Sequence, residues 1–148
     1  MKIREVVLQY RELEQESETE ILKNPRDIVA YVKGGVEFRP EQEQLWVILL
    51  DTRLRALGRH LCALGTVNQV LFHPRDVFRT AILGNAHSIV LVHNHPSGDP
   101  EPSEADETVT RQFLTIGEII GIEVVDHVIL GDAKIDPRGV GHWSILTN

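Results

Sequence analysis

At 148 residues and 42% hydrophobic content, the chain is long enough for one core and apolar enough to fill it. No stretch approaches the roughly 20 apolar residues of a membrane span, and a single cysteine, Cys62, excludes an internal disulfide and a cysteine-built zinc cluster. The net charge of −7, from 22 acidic and 15 basic residues, repels a phosphate backbone unless the cations gather on one face.

Residues 1–24 read as a charged N-terminal arm or helix. Met1-Lys2-Ile3-Arg4-Glu5 leads into alternating charge and not into the apolar core of a signal peptide, so a cytoplasmic chain is expected. The run from Glu12 to Glu20 predicts a solvated segment. Its alternative use is as an arm packed on a second copy, which leaves a homodimer open. Asn24-Pro25 starts a helix through Asp27–Val32, ended by Gly34-Gly35. Gln44 to Leu50 is an apolar run with the character of a central strand, and Asp51-Thr52-Arg53 turns it into a second strand over 56–64. Arg53, Arg55 and Arg59 near that turn suit a solvated strand edge that like charges keep unpaired. With aromatics at only 5%, stacking platforms for single strands are few, and nucleic-acid binding is disfavoured.

Pro74 opens a helix reaching about Leu83, with Asn85 as its closing turn residue. The strand 88–93 follows, then a Pro/Gly-rich loop, then a helix from Ser103 to about Ile120 that Gly121 stops. Ile122 to Leu130 is another strand. The order is mixed α/β, with the body of the domain over residues 25–148. Cys62 lies in an apolar run and reads as a core thiol.

The chemistry concentrates in His93-Asn94-His95 and the loop beyond it. Residues two apart on a strand share a face, so His93 and His95 project together from the strand end. Asp106 arrives across the loop at a helix start. Two imidazoles and a carboxylate make a three-ligand zinc site of the catalytic type, which leaves a fourth tetrahedral position for water. Each part has a plainer reading. A lone strand-end histidine is usually a packing or surface residue, and Ser103-Glu104-Ala105-Asp106 is also the signature of a capping box. The two readings of Asp106 are compatible, because a capped helix start fixes where the carboxylate points.

Taken together, His93-x-His95, seven residues, Ser103, two residues, Asp106 resembles the JAMM motif of JAB/MPN zinc metallopeptidases. The extended form His-Asn-His-Pro-Ser-Gly-Asp-Pro-x-Pro-Ser is similar to the RadC branch. Gly65-Thr66, His73-Pro74-Arg75-Asp76-Val77, Asn85-Ala86 and Asp126-His127-Val128-Ile129-Leu130-Gly131 extend the likeness over roughly 25–131, and it weakens beyond Gly131. The resemblance implies the JAB/MPN fold, a mixed sheet flanked by helices like that of cytidine deaminases. It also implies a Zn2+ cofactor on His93, His95 and Asp106. A general base would come from a glutamate ahead of an early strand, where Glu37, Glu41 and Glu43 are the candidates. In RadC-like chains that glutamate stands eight residues before the Asp or Asn ending the strand. Glu43 stands so before Asp51, and Glu41 is next in line. Ser103 would give a hydrogen bond to a developing oxyanion, and Gly98 would let a substrate chain come close.

The implied activity is hydrolysis of a peptide or isopeptide bond in a peptide or protein substrate. The alternative is a non-catalytic DNA-repair accessory or protein-binding module on the same fold. Many RadC-type proteins carry a helix-hairpin-helix segment ahead of this domain, and 148 residues leave it no room, so a free-standing domain is expected. Asp99 and Glu101 read as loop acids, and His60, His73, His87 and His142 lack ligand spacing. His127, which follows Asp126, reads as a member of a buried polar pair or as a group behind the ligands, structural before metal-binding. His-Glu-x-x-His and Pro-Cys-x-x-Cys are both missing from the sequence, against the commonest zinc proteases and the nucleobase deaminases.

Overall fold

The computed structural model describes residues 1–17, 19–33, 41–65 and 72–147. Gly34-Gly35 and the candidate Glu37 lie outside the described residues. The elements are α1 (Pro25–Lys33), β1 (Gln44–Leu50), β2 (Ala56–Leu64), α2 (Pro74–Leu83), β3 (Ser88–Asn94), α3 (Glu104–Ile120), β4 (Glu123–Leu130) and β5 (His142–Ser144). They bear out the mixed α/β reading. The short β5 lies in the stretch beyond Gly131, where the sequence pattern gave no strand.

The local causes are plain. Asn24 Oδ1 accepts from the backbone N–H groups of Arg26 and Asp27, capping α1 behind Pro25. Pro74 opens α2, Asn85 takes a left-handed φ of 54° beyond its end, and Gly121 closes α3 at φ 80°. Among the described residues, no helix is long and apolar enough to cross a membrane.

The strands form one sheet in the order β2-β1-β3-β4-β5. β3 and β4 are parallel, joined by the α3 crossover, and the other neighbours are antiparallel. Period-2 alternation divides the sheet between two apolar layers. Leu45, Val47, Leu49, Ile89 and Leu91 pack with Val77 and Phe78 of α2 and Phe113 of α3. Ile48, Leu50, Val90, Val92, Val128 and Leu130 pack with Ile28 and Val32 of α1 on the opposite face. Leu22 is buried in this second layer, and the backbone of Glu20 and Leu22 bonds to Ala56 and Leu54, so the chain is already tied to the sheet there. β2 is an edge strand, and it carries Arg59 over the Trp46 ring at 5.2 Å from its centroid. His93 shares the parity of Leu91 and Ile89, which turns it towards α3 at the carboxyl end of a parallel strand. In open α/β sheets that end is where ligands bind.

Candidate metal centre

β3 delivers the first side chain. His93 pairs across the sheet with Leu45 of β1, and Glu43 sits two residues before Leu45 on the same parity. His93 is fully buried and Phe72 meets its ring edge-on at 5.2 Å. His95 lies one residue beyond the strand. Its N–H still bonds to Leu130 O at 2.9 Å, which continues the β3–β4 pairing and keeps the two rings on one side.

α3 delivers the carboxylate. Ser103 Oγ accepts from Asp106 N at 3.1 Å, and Asp106 Oδ2 accepts from Ser103 N at 2.8 Å, so the expected capping box is formed in both directions. The cap aims Asp106 back at the strand end. Asp106 Oδ2 lies 3.1 Å from His95 Nε2, Asp106 Oδ1 lies 3.3 Å from His93 Nε2, and the two Nε2 atoms are 3.1 Å apart. Glu43 Oε1 is 3.9 Å from His93 Nε2, with its side chain 20% exposed. Glu43, His93 and His95 each offer a ligand atom within 4.8 Å of the others. Glu41 is exposed in the preceding turn.

The donor set fits a tetrahedral cation. Ligand atoms bound to zinc at about 2.0–2.1 Å stand roughly 3.3 Å apart along the tetrahedron edge; the two Nε2 atoms are 3.1 Å apart, and each has a different Asp106 oxygen at 3.1 or 3.3 Å. His95 Nδ1 lies 2.8 Å from the Asp99 carbonyl, an acceptor only, so this nitrogen carries the hydrogen and Nε2 of the neutral ring presents a lone pair. Two ring nitrogens and a carboxylate at such separations suit either a shared proton or a cation between them. Without a metal, the carboxylates beside His95 favour its protonated ring. Burial lowers the His95 pKa, but hydrogen bonds to Asp106 and Asp99 and the charges of Asp106 and Glu43 outweigh it and raise it. Burial raises the Asp106 carboxyl, yet the rings of His93 and His95 and the Ser103 N–H hold it well below the usual carboxylate range.

The supporting residues were less legible. Asn94, between the histidines, points to neither ring. Its Oδ1 accepts from Gln44 N at 2.8 Å and its Nδ2 donates to Gln42 O at 3.0 Å, clamping the backbone on both sides of Glu43. His127 Nε2 lies 2.7 Å from His93 Nδ1, and its Nδ1 lies 2.7 Å from Thr110 Oγ1. Burial pushes the His127 pKa well below the ordinary range. The expected Asp126–His127 pair is a backbone contact: Asp126 accepts from His127 N and from the Ser144 hydroxyl. Asp99 acts through its carbonyl and not its carboxylate. Their signals in the sequence are Asp106-x-x-x-Thr110, one helical turn on a single face, and a histidine in the neighbouring parallel strand.

Gly98 corrects one expectation. At φ 87° it needs glycine, but a Cβ there would meet Ile135 Cδ1 at 2.6 Å. Asp132 N also bonds to Gly98 O at 2.7 Å. The chain that comes close is this protein's own 131–136 segment, which braces the loop behind His95.

The RadC-like JAB domain family matches residues 22–136. The UPF0758 protein of Desulforamulus reducens is 42% identical over 114 residues, covering 77% of this chain and 50% of that protein. The UPF0758 protein of Thermotoga maritima is 51% identical over 90 residues, 61% of this chain and 40% of that one. That of Moorella thermoacetica is 40% identical over 114 residues, 77% and 49% respectively. The chain therefore spans about half the length of these relatives, whose shared name states no activity. With three quarters of its residues under the family match, and with the site that the JAMM spacing encodes gathered at one strand end, the chain belongs to the RadC-like JAB domain family.

Proposed function

We propose that the domain is a zinc metallohydrolase that cleaves a peptide or isopeptide bond, with His93, His95 and Asp106 as ligands and Glu43 as general base. The observation that supports this reading is the 3.1–3.3 Å clustering of His93 Nε2 and His95 Nε2 with each other and with the two Asp106 carboxylate oxygens, with Glu43 set back at 3.9 Å from His93. The wider spacing suits a group that contacts a water beside the metal and not the metal itself. Imidazole and carboxylate donors in a tetrahedral set suit zinc.

When bound, zinc lowers the pKa of a coordinated water toward ~7 and polarises a carbonyl. Glu43 accepts the proton of the attacking water and returns it to the leaving amine, which completes the hydrolysis without net proton change. Asn94 keeps Glu43 in place by holding the backbone at Gln42 and Gln44. Ser103 gives a lone pair to the Asp106 N–H and directs its own hydrogen to the carbonyl oxygen as charge develops there. A peptide or protein chain is the substrate class, bound in extended form beside the sheet.

Two measurements test the reading. Elemental analysis of protein purified without added metal is expected to give about one zinc per chain. Glu43→Gln is expected to keep that zinc and lose about 100-fold or more in hydrolysis across a panel of linear and isopeptide-linked substrates. Zinc lost together with activity would make Glu43 a ligand. Hydrolysis independent of Glu43, or confined to phosphodiesters, would overturn the peptidase reading.

A further inference from the structure

We propose that Thr110 and His127 form a relay of hydrogen bonds that fixes His93 as its Nδ1–H tautomer and so reserves Nε2 for the metal. The proposal rests on the metal-centre reading above and adds two residues to it.

The direction of each hydrogen follows from the chemistry of the atoms. Thr110 Oγ1 lies 2.7 Å from Asp106 O and 2.7 Å from His127 Nδ1. The carbonyl has no hydrogen, and an oxygen–oxygen contact of that length is repulsive without one. The hydroxyl therefore donates to Asp106 O, and its one hydrogen is used. His127 Nδ1 must then be the donor to Thr110 Oγ1. A neutral imidazole carrying its hydrogen on Nδ1 has a lone pair on Nε2. His127 Nε2 accordingly accepts, at 2.7 Å, from His93 Nδ1–H. His93 is left with its lone pair on Nε2, the atom that faces His95 and Asp106.

The fold makes this chain rigid. Asp106 and Thr110 are one turn apart on the same face of α3, so the helix that supplies a ligand also anchors the relay that orients another. His127 stands on β4 opposite Leu91, two residues before His93 on β3. Thr110 is 1% exposed and His93 and His127 are fully buried, so water does not compete for these bonds. His95 reaches the same tautomer by a separate route, the Asp99 carbonyl. Ligating histidines need such partners, and losing one typically weakens metal binding by about 10- to 100-fold.

The test reads the tautomers directly, in the full chain stripped of zinc. Long-range proton–nitrogen NMR on 15N-histidine protein, at about pH 8.5 and so two units above the ordinary imidazole pKa, should show Nδ1–H on both His93 and His127. Thr110→Val, close in shape but without the hydroxyl, should move both rings toward Nε2–H and raise the zinc dissociation constant about 10- to 100-fold. Thr110→Ser should restore both. An Nε2–H form of His93 in the wild type would overturn the relay without any variant having to fold. Thr110→Val that keeps the wild-type tautomers, or that shifts them with zinc affinity unmoved, would overturn it too. A wild type that shows both Nδ1–H rings yet takes up no zinc would support the relay and remove the metal-centre reading instead.

Discussion

The strand end that holds His93 and the exposed stretch of residues 1–16 differ in how many independent contacts fix each side chain. His93 is held by its ladder position, by Phe72 and by His127, and Asp106 by both halves of a capping box. Residues 1–16 are exposed throughout, with Met1, Ile3, Val6 and Val7 all more than 70% accessible. Tyr10 is an anchor there: its ring lies against Gly58 and its hydroxyl donates to Gly84 O at 2.8 Å. A cleft of about 810 Å³ runs between residues 8–15 and the β1–β2 hairpin, and its lining includes none of Glu43, His93, His95 and Asp106. A metal or catalytic geometry must be held to about 0.5 Å. The chain spends its constraints at the strand end and leaves that stretch with few.

The comparison breaks first at His95. Its side chain is 17% exposed, so removing it perturbs the core little while deleting one member of the cluster. His95→Ala is expected to drop zinc from about one per chain to near none, read by elemental analysis. A metal content equal to wild type would move the centre elsewhere. Ser103 sharpens the contrast by separating two roles of one residue. At a helix N-cap, Ser→Ala costs about 1 kcal/mol, but Ser→Gly only a few tenths. Both substitutions remove the hydroxyl, so both should lower kcat by about 100-fold if it stabilises an oxyanion. Rates that track stability instead, with glycine near wild type, would leave Ser103 as a cap alone.

Asn94 carries the next effect. Asn94→Ala leaves Gln44 N–H and Gln42 O without their partner, next to a buried Gln44 side chain. A loss of about 2 kcal/mol is expected, seen as a lower urea midpoint at unchanged slope. Hydrolysis should fall with it because Glu43 lies between the two clamped residues, while zinc content stays at about one per chain. Zinc that leaves along with the clamp would count Glu43 among the ligands.

What could be read from the sequence follows the same division. The juxtaposition of His93, His95 and Asp106 is encoded by spacing: i, i+2 on a strand and Ser-x-x-Asp at a helix start are local geometries, and local geometry survives translation into three dimensions. The elements at 44–50, 56–64 and 74–83 were legible for the same reason, since apolar runs, a hairpin turn and an opening proline act over a few residues. His127 was legible as a buried group behind the ligands, but its partner was not, and Thr110 and the Asp99 carbonyl were not legible as supports, because these roles depend on which strand lies beside β3 and on which loop folds under His95. Gly98 was only partly legible for a related reason: glycine announces a close approach but not that the 131–136 segment makes one. β5 is three residues long, and only its pairing with Val128–Leu130 defines it.

The smallest effect belongs to the arm. Tyr10 is half-exposed, and its hydrogen bond to Gly84 O is part-buried. Burial raises the phenol above its ordinary pKa, so it remains a donor at neutral pH. Tyr10→Phe removes that donor and keeps the ring against Gly58. A net hydrogen bond of this kind is worth about 0.5–1 kcal/mol, which for a chain of this size lowers Tm by roughly 1–4 °C. Zinc content and the rate of hydrolysis should stay at wild-type values, since Tyr10 touches neither β3 nor α3 through that bond. The measurement is a pair of thermal scans on zinc-loaded protein, with metal analysis on the same samples. A fall much beyond 5 °C, or any loss of zinc, would show that the arm is folded cooperatively with the strand end, and the contrast between the two regions would collapse.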